Sequence, residues 1–300
     1  MKILTSVDVV GLGALGTMYA NDFTEALGKE NVRVLADAAR TEKYRRDGVF
    51  FNGTPCDLSF CDASQETRPA QLILYAVKYG ALAQAMEETA HLIGPATVIL
   101  SVLNGIRSEE DLAERFGAEK IVYCIARKMD AGKEGNRAVC KNHGELALGV
   151  RNGGSAENLT AVVDLFRRIG FPFALPVDIW RDMWSKLLCN VGVNQTCSLL
   201  GGGYGLIHKP GPARDMMQAA MREVVAVANA EGVGLTEQDV VDWTATLDGL
   251  NPDGEPSMRQ DSKAGRPTEV QLFAGTICSL GRKHGIPTPV NDVFLEKLRG

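Results

Sequence analysis

Six residues near the start of the chain, Gly11-Leu12-Gly13-Ala14-Leu15-Gly16, constrain its fold more than any other stretch. They fit G-x-G-x-x-G. A chain with 32 glycines can produce that pattern by chance. Here it follows the short apolar run Val7 to Val10 and opens a helical stretch, Ala14 to Leu27. Between a strand and a helix the pattern acquires a physical meaning. Gly11 allows the tight turn, Gly13 lets a pyrophosphate approach the backbone, and Gly16 lets helix and strand pack closely. The helix N-terminus turns free N–H groups and a partial positive charge toward the phosphates.

The rest of the first half agrees with a doubly wound sheet. Val32 to Ala36, Gln71 to Val77 and Thr97 to Leu103 read as buried strands. Arg40 to Asp47 and Ala81 to Leu92 read as helices. Strands alternating with helices at this spacing indicate βαβ units around a parallel sheet. "GVFFNGTPCDLSF" reads as one hairpin with Asn52-Gly53 at its turn. From Ile121 to Val150, three short strands read as a meander. A helix near Ala156 to Ile169 and a strand near Phe171 to Leu175 close the first domain. After Pro176 the pattern is helical: Asp178 to Leu200, Ala213 to Glu231, Thr236 to Leu247 and a long segment from Ser257 to His284, interrupted by Pro267. The expected class is α/β, with a dinucleotide-binding Rossmann-type parallel-sheet domain over 1–176 and an all-helical substrate domain over 177–300.

Composition excludes several functions. A net charge of −5 argues against nucleic-acid or anionic-membrane partners. No apolar run approaches the roughly 18 residues of a membrane span, and the N-terminus lacks a signal-peptide pattern, so a cytoplasmic enzyme is expected. The seven cysteines are odd in number and contain no C-x-x-C. They read as reduced, packed thiols, with a catalytic role for Cys189 or Cys197 as the alternative. The four histidines are scattered, and no metal site is expected.

Several polar residues stand where ligands bind. Asp37 ends the second strand, 21 residues after Gly16. An acid there hydrogen-bonds an adenine ribose and favours NAD(H); it also suits a helix N-cap. Arg40 and Lys43 follow closely enough to hold a phosphate. Lys78 and Asn104 end the third and fourth strands of the βαβ series, at the sheet edge where such folds bind ligands. A solvated loop Lys and a plain Asn-Gly turn are the alternatives for them.

In "WSKLLCNVGVNQTCSLL", Trp184 to Leu200, the residues Lys186, Asn190 and Asn194 fall at i, i+4 and i+8. At helical period they form a polar line on an otherwise apolar segment. A second constellation lies in "SMRQDSKAGRPTEVQLFAG", with Ser257, Asp261 and Glu269. Twelve residues is about 3.3 turns, so a continuous helix would hold Ser257 and Glu269 within about 120° of each other. Ser257 as an N-cap and Glu269 as a surface charge or helix-start acid are the plain alternatives.

Together these residues resemble the ketopantoate reductase (2-dehydropantoate 2-reductase) family. The resemblance rests on "GLGALG", "AVK" at Ala76 to Lys78, "LNG" at Leu103 to Gly105, "WSKLLCNVGVN", "SMRQDSKAGRPTEV" and "HGIPTPVND" at His284 to Asp292. It implies a Rossmann domain joined to a helical domain with the active site in the cleft between them. It implies NADPH-dependent reduction of 2-dehydropantoate to pantoate. By motif, Lys186 is the catalytic lysine. Asn190, Asn194 and Ser257 match substrate-binding positions, Lys78 and Asn104 match cofactor-contacting positions, and Asn104 also stands within reach of substrate. Glu269 matches an acid that helps hold the cofactor or the active-site network. The chain departs at Asp37, where many members carry an arginine for the 2′-phosphate. NADP(H) is therefore expected from the resemblance, and NAD(H) from Asp37. The alternatives are a reductase of another small 2-oxo acid, a β-hydroxy acid dehydrogenase, or a dinucleotide sensor without turnover. The expected partner is a small 2-oxo acid, and the apolar helices are compatible with a homodimer.

Overall fold

The computed structural model describes residues 2–151 and 153–298. The chain divides into two compact units, Met1–Ile179 and Trp180–Gly300.

In the first unit, β1 (Val7–Val10) leads through the glycine turn into α1 (Ala14–Leu27). Then follow β2 (Val32–Ala36), α2 (Ala38–Asp47), β3 (Phe50–Phe51), β4 (Thr54–Pro55), β5 (Phe60–Asp62), β6 (Leu72–Tyr75), α3 (Leu82–Thr89), β7 (Val98–Ser101) and α4 (Ser108–Phe116). The order β5-β2-β1-β6-β7 is parallel at every pairing. Helices cover such a sheet, so β1, β2, β6 and β7 are buried at every position and largely apolar, while the edge strand β5 is half-buried. One polar pair interrupts them. Asp8 of β1 lies directly across from Arg33 of β2, and both are almost fully buried. The Arg33 guanidinium donates to Asp8 Oδ1 at 2.7 Å, to Glu66 Oε2 at 2.7 Å and to the Arg68 carbonyl at 3.1 Å. Each buried charge thus has a partner, which a dry sheet face demands.

Two readings of this region are corrected. The hairpin is confined to β3 and β4, with Asn52 and Gly53 both at positive φ as a two-residue turn needs. The ladder runs one bond further, the Cys56 N–H donating to the Val49 carbonyl at 2.9 Å, and ends there. The chain leaves, and β5 joins β2 in parallel as a fifth strand of the main sheet. The meander is also divided. β8 (Tyr123–Arg127) pairs with β11 (Glu145–Gly149), which also pairs with β12 (Phe173–Ala174). β9 (Gly132–Glu134) and β10 (Arg137–Val139) form a hairpin that joins β3 instead. The Asp130 carboxylate separates them. It accepts from the backbone N–H groups of Lys141 and Asn142 at 2.7 and 2.9 Å, folding that loop back on itself. Between β11 and β12, α5 (Ala156–Ile169) brings Phe166 against Phe171, with ring centroids 4.6 Å apart; Phe171 also stacks on Phe23 of α1.

The second unit contains α6 (Ile179–Cys189), α7 (Gln195–Leu200), α8 (Pro212–Ala230), α9 (Glu237–Asp248), α10 (Ser257–Lys263), α11 (Thr276–His284) and α12 (Pro289–Lys297). The sequence reading of one helix from Asp178 to Leu200 is refined. A π-helical turn, Asn190–Asn194, separates α6 from α7. The long segment from Ser257 is broken after Lys263 and restarts in a second π turn, Gln271–Gly275, beyond Pro267. The helical phase between Ser257 and Glu269 therefore does not exist. The last helix, α12, lies beyond the helices expected from periodicity. No helix among the described residues is long and apolar enough to cross a membrane.

Candidate active site

The first unit presents a turn built from backbone. Gly11 has φ +95°, and a Cβ there would lie 2.7 Å from Val77 Cγ1 and 2.9 Å from the Ala76 carbonyl oxygen. At Gly16 a Cβ would meet the Gly11 carbonyl oxygen at 2.0 Å. These two glycines are required by close approach. Gly13 differs: it is exposed, and a Cβ there would find only the Ala76 oxygen, at 3.7 Å. Gly13 stands at the N-cap of α1 with no side chain capping the helix, and the first turn of α1 contains no acid. Ala14 and Leu15 are half-buried, Leu12 is buried, and the first N–H groups of α1 remain available to an anion. This cradle fits a dinucleotide pyrophosphate.

A small cavity adjoins it, lined by Gly11, Ala36, Arg40, Tyr44, Val77 and Gln84 among others. Asp37 stands at the end of β2 and caps α2: its Oδ1 accepts from the Arg40 N–H at 2.7 Å, and its Oδ2 lies 3.3 Å from Arg40 Nε. The cap and a place near the ribose are compatible roles for one carboxylate. Lys78 is exposed just past β6, and the Tyr79 hydroxyl beside it donates to Asp111 at 2.7 Å, tying that loop to α4. Asn104 is half-buried past β7. Its turn is braced by the buried Ser101 and Ser108 hydroxyls, 2.8 Å apart, and by the Leu103 N–H donating to Ser101.

The second unit presents a site built from side chains. Lys186 is half-buried in the last turn of α6. Its neighbour Ser185 accepts from Trp243 Nε1 at 2.8 Å, and Arg181 pairs with Asp239 at 2.8 Å, so α9 fixes one face of α6 at two points. Asn190 and Asn194 begin and end the π turn. A π turn winds wider than an α-helix, so the spacing of four no longer stacks residues in one straight line. Lys186 and Asn190 remain half-buried, while Asn194 is only 5% exposed. The Asn190 amide nitrogen is buried and has no hydrogen-bond partner among the described residues. Buried donors are almost always satisfied in a folded protein, by protein, water or ligand, so this one is open to a further acceptor. Burial pushes the Cys189 and Cys197 thiols up to about 12, the Lys186 charge opposing it only in part at Cys189, which disfavours the thiolate at both.

Sequence reasoning missed what holds this turn. Gly192 sits inside it, and a Cβ there would lie 2.7 Å from Met221 Cγ and 3.2 Å from Met217 Cγ, so a larger residue would push α8 away. Gln195 is fully buried. Its amide donates to the Val191 carbonyl at 2.9 Å and to Asn291 Oδ1 at 3.4 Å. Its carbonyl accepts from the Ala274 N–H at 3.1 Å. One glutamine thus serves groups in both π turns. Asn291 donates in turn to Glu223, whose carboxylate also accepts from the backbone N–H groups of Val290 and Asn291. The segment "HGIPTPVND" therefore supports the turn through Asn291. The interior glycine and an amide at i+5 from Asn190 were the available signals.

Ser257 is exposed in the first turn of α10, where Pro256 is the cap. Asp261 is buried and accepts from Arg266 Nε at 2.8 Å. Glu269 is 8% exposed and precedes the second π turn, which begins at Gln271. The surface alternative for Glu269 does not hold.

Comparison with known proteins agrees with this fold. The profile of ketopantoate reductase PanE/ApbA matches residues 7–153, and that of its C-terminal part matches 178–300. The chain belongs to the ketopantoate reductase family. A 2-dehydropantoate 2-reductase of Halobacterium salinarum is 28% identical over 299 residues, covering 98% of this chain and 97% of its own. The structure of 2-dehydropantoate 2-reductase from Geobacter metallireducens superposes with a TM-score of 0.86 at 27% identity, covering 98% of both chains. A D-mandelate dehydrogenase solved with NADH and anilino(oxo)acetate shares the fold, with a TM-score of 0.86 at 23% identity, covering 98% of this chain and 97% of its own. Membership makes the protein an oxidoreductase of the NAD(P)H-dependent, 2-oxo acid-reducing type. Among the described residues, no cluster of His, Cys, Asp and Glu could hold a metal ion.

Proposed function

We propose that this protein reduces a small branched 2-oxo acid of the 2-dehydropantoate type to its 2-hydroxy acid, with Lys186 as the proton donor. The observation that carries the reading is the orphan Asn190 amide, buried one turn beyond a half-buried lysine. Reduction of a ketone builds negative charge on the carbonyl oxygen. An ammonium stabilises that charge and delivers the proton that completes the hydroxyl. Asn190 and Asn194 orient the carbonyl, hydroxyl and carboxylate of the substrate without bringing a net charge that would resist burial. Ser257 adds a hydroxyl, and Glu269 orders the surrounding network. The nicotinamide, when bound, supplies the hydride.

The dinucleotide is held by Gly11 to Gly16 at its pyrophosphate, with Lys78 and Asn104 beside it. NADH is the expected partner. Asp37 presents a carboxylate to the ribose and holds Arg40 in an ion pair, so the guanidinium is already matched by an acid. A 2′-phosphate would have to compete with that acid. Asp37→Arg is expected to move preference toward NADPH.

The test follows absorbance at 340 nm with purified protein, NADH and NADPH in parallel, and a panel of 2-oxo acids that includes 2-dehydropantoate. The panel also includes a phenyl-substituted acid, because a D-mandelate dehydrogenase shares this fold. Fast turnover of 2-dehydropantoate supports the reading. Turnover of the phenyl acid alone reassigns the substrate and keeps Lys186. Cofactor binding without turnover of any acid overturns it in favour of a sensor.

A further inference from the structure

Lys133 is used by nothing described so far. It lies on β9, distant in sequence from the glycine turn, yet its ammonium donates to the Leu12 carbonyl inside that turn. It also lies 3.3 Å from the hydroxyl of Thr17, a fully buried residue in the first turns of α1. Both acceptors are neutral, and among the described residues no carboxylate pairs with it. Burial lowers its affinity for its own proton, the nearby Lys43 acting in the same direction and Cys56 against it.

The placement is electrostatically unfavourable in the empty protein. The N-terminus of α1 already presents the positive end of the helix dipole, and no acid stands in its first turn. A cation there is the wrong sign for the helix. Two neutral acceptors satisfy its hydrogen bonds and leave its charge unmatched. An anion at the turn reverses the balance, because it interacts with the dipole and the ammonium together.

We propose that Lys133 is a positioning residue for the dinucleotide. From behind the turn it fixes the Leu12 carbonyl and supplies counter-charge to the pyrophosphate. This rests on the dinucleotide-binding reading of Gly11 to Gly16. The role is independent of the 2′ position, where Asp37 and Arg40 act, so NADH and NADPH are affected by the same factor.

Calorimetric titration of NADH and NADPH into the wild type and the variants Lys133→Met, Lys133→Gln and Lys133→Arg tests it. The Met variant is expected to weaken both dinucleotides about tenfold, on the order of 1.4 kcal/mol. The loss falls on Kd and on the dinucleotide KM, while kcat at saturating dinucleotide stays within about twofold. Gln keeps a donor without charge and is expected to behave like Met; Arg restores most of the affinity. Circular dichroism confirms folding, and the Gln variant carries the comparison should the Met variant not fold. Wild-type affinity in a folded Met or Gln variant overturns the role of the charge. A loss confined to kcat overturns it as well. A wild type that binds neither dinucleotide overturns the functional reading itself, which separates that failure from this one.

Discussion

The glycine turn of the first unit and the π turn of the second solve the same problem with opposite materials. Both leave polar groups ready for a ligand. In the first, the donors are backbone N–H groups at the start of α1, and side chains contribute by being absent: Gly16 exists because the Gly11 carbonyl occupies the space of a Cβ. In the second, the proposed donors are the side chains of Lys186 and Asn190, carried on a helix whose regular winding is broken. A backbone site needs only a short local pattern. A side-chain site on a distorted helix needs distant residues to hold the distortion, and here Gln195, Asn291 and Glu223 do so.

That contrast can be broken at four places. The largest effect is expected from Lys186→Ala, which should lower kcat by a factor on the order of 10² to 10⁴ with the fold and dinucleotide affinity retained. Steady-state kinetics beside a dinucleotide titration checks both halves, and near-normal turnover in a folded variant removes Lys186 from the chemistry. Next, Gly16→Val forces a Cβ and two methyl groups into the space of the Gly11 carbonyl. It should destabilise the first unit by about 3 kcal/mol and abolish measurable dinucleotide binding. Urea denaturation and the same titration read this out; a variant that still binds would mean the turn tolerates bulk.

Gln195→Leu sharpens the other side. It leaves the Ala274 N–H unpaired in a dry interior and should cost about 2 kcal/mol in urea denaturation. It should also raise the KM for the oxo acid, since the π turn loses its brace. Unchanged stability would show that the turn holds itself. The smallest effect has the most informative sign. Asn190→Leu removes a buried donor that has no partner, so the ligand-free protein should gain up to about 1 kcal/mol. The same change should raise the KM for substrate severalfold. A loss of stability instead would mean the amide is already satisfied without ligand.

The legible parts of this protein were those governed by near neighbours. Alternating apolar runs and helical stretches gave the parallel sheet, because a strand buried on both faces must be apolar throughout. The glycine turn was readable because its constraints lie within six residues. The polar residues of "KLLCNVGVN" were visible as misfits on an apolar helix. What escaped the sequence depended on sequence-distant contacts. The parallel pairing of β5 with β2 and the Asp130 clamp redirected strands that local pattern assigned to a hairpin and a meander. Ser257 and Glu269 lost their helical phase because the chain breaks between them. Lys133 and Gln195 carry no local signal at all, since a lysine on a short strand and a glutamine in a helix are ordinary until their partners are known. The sequence alone determined the class of fold and the kinds of side chain available for chemistry. The tertiary structure decided which of them stand unpaired, because an unsatisfied donor or an unmatched charge is a property of the surroundings and not of the residue.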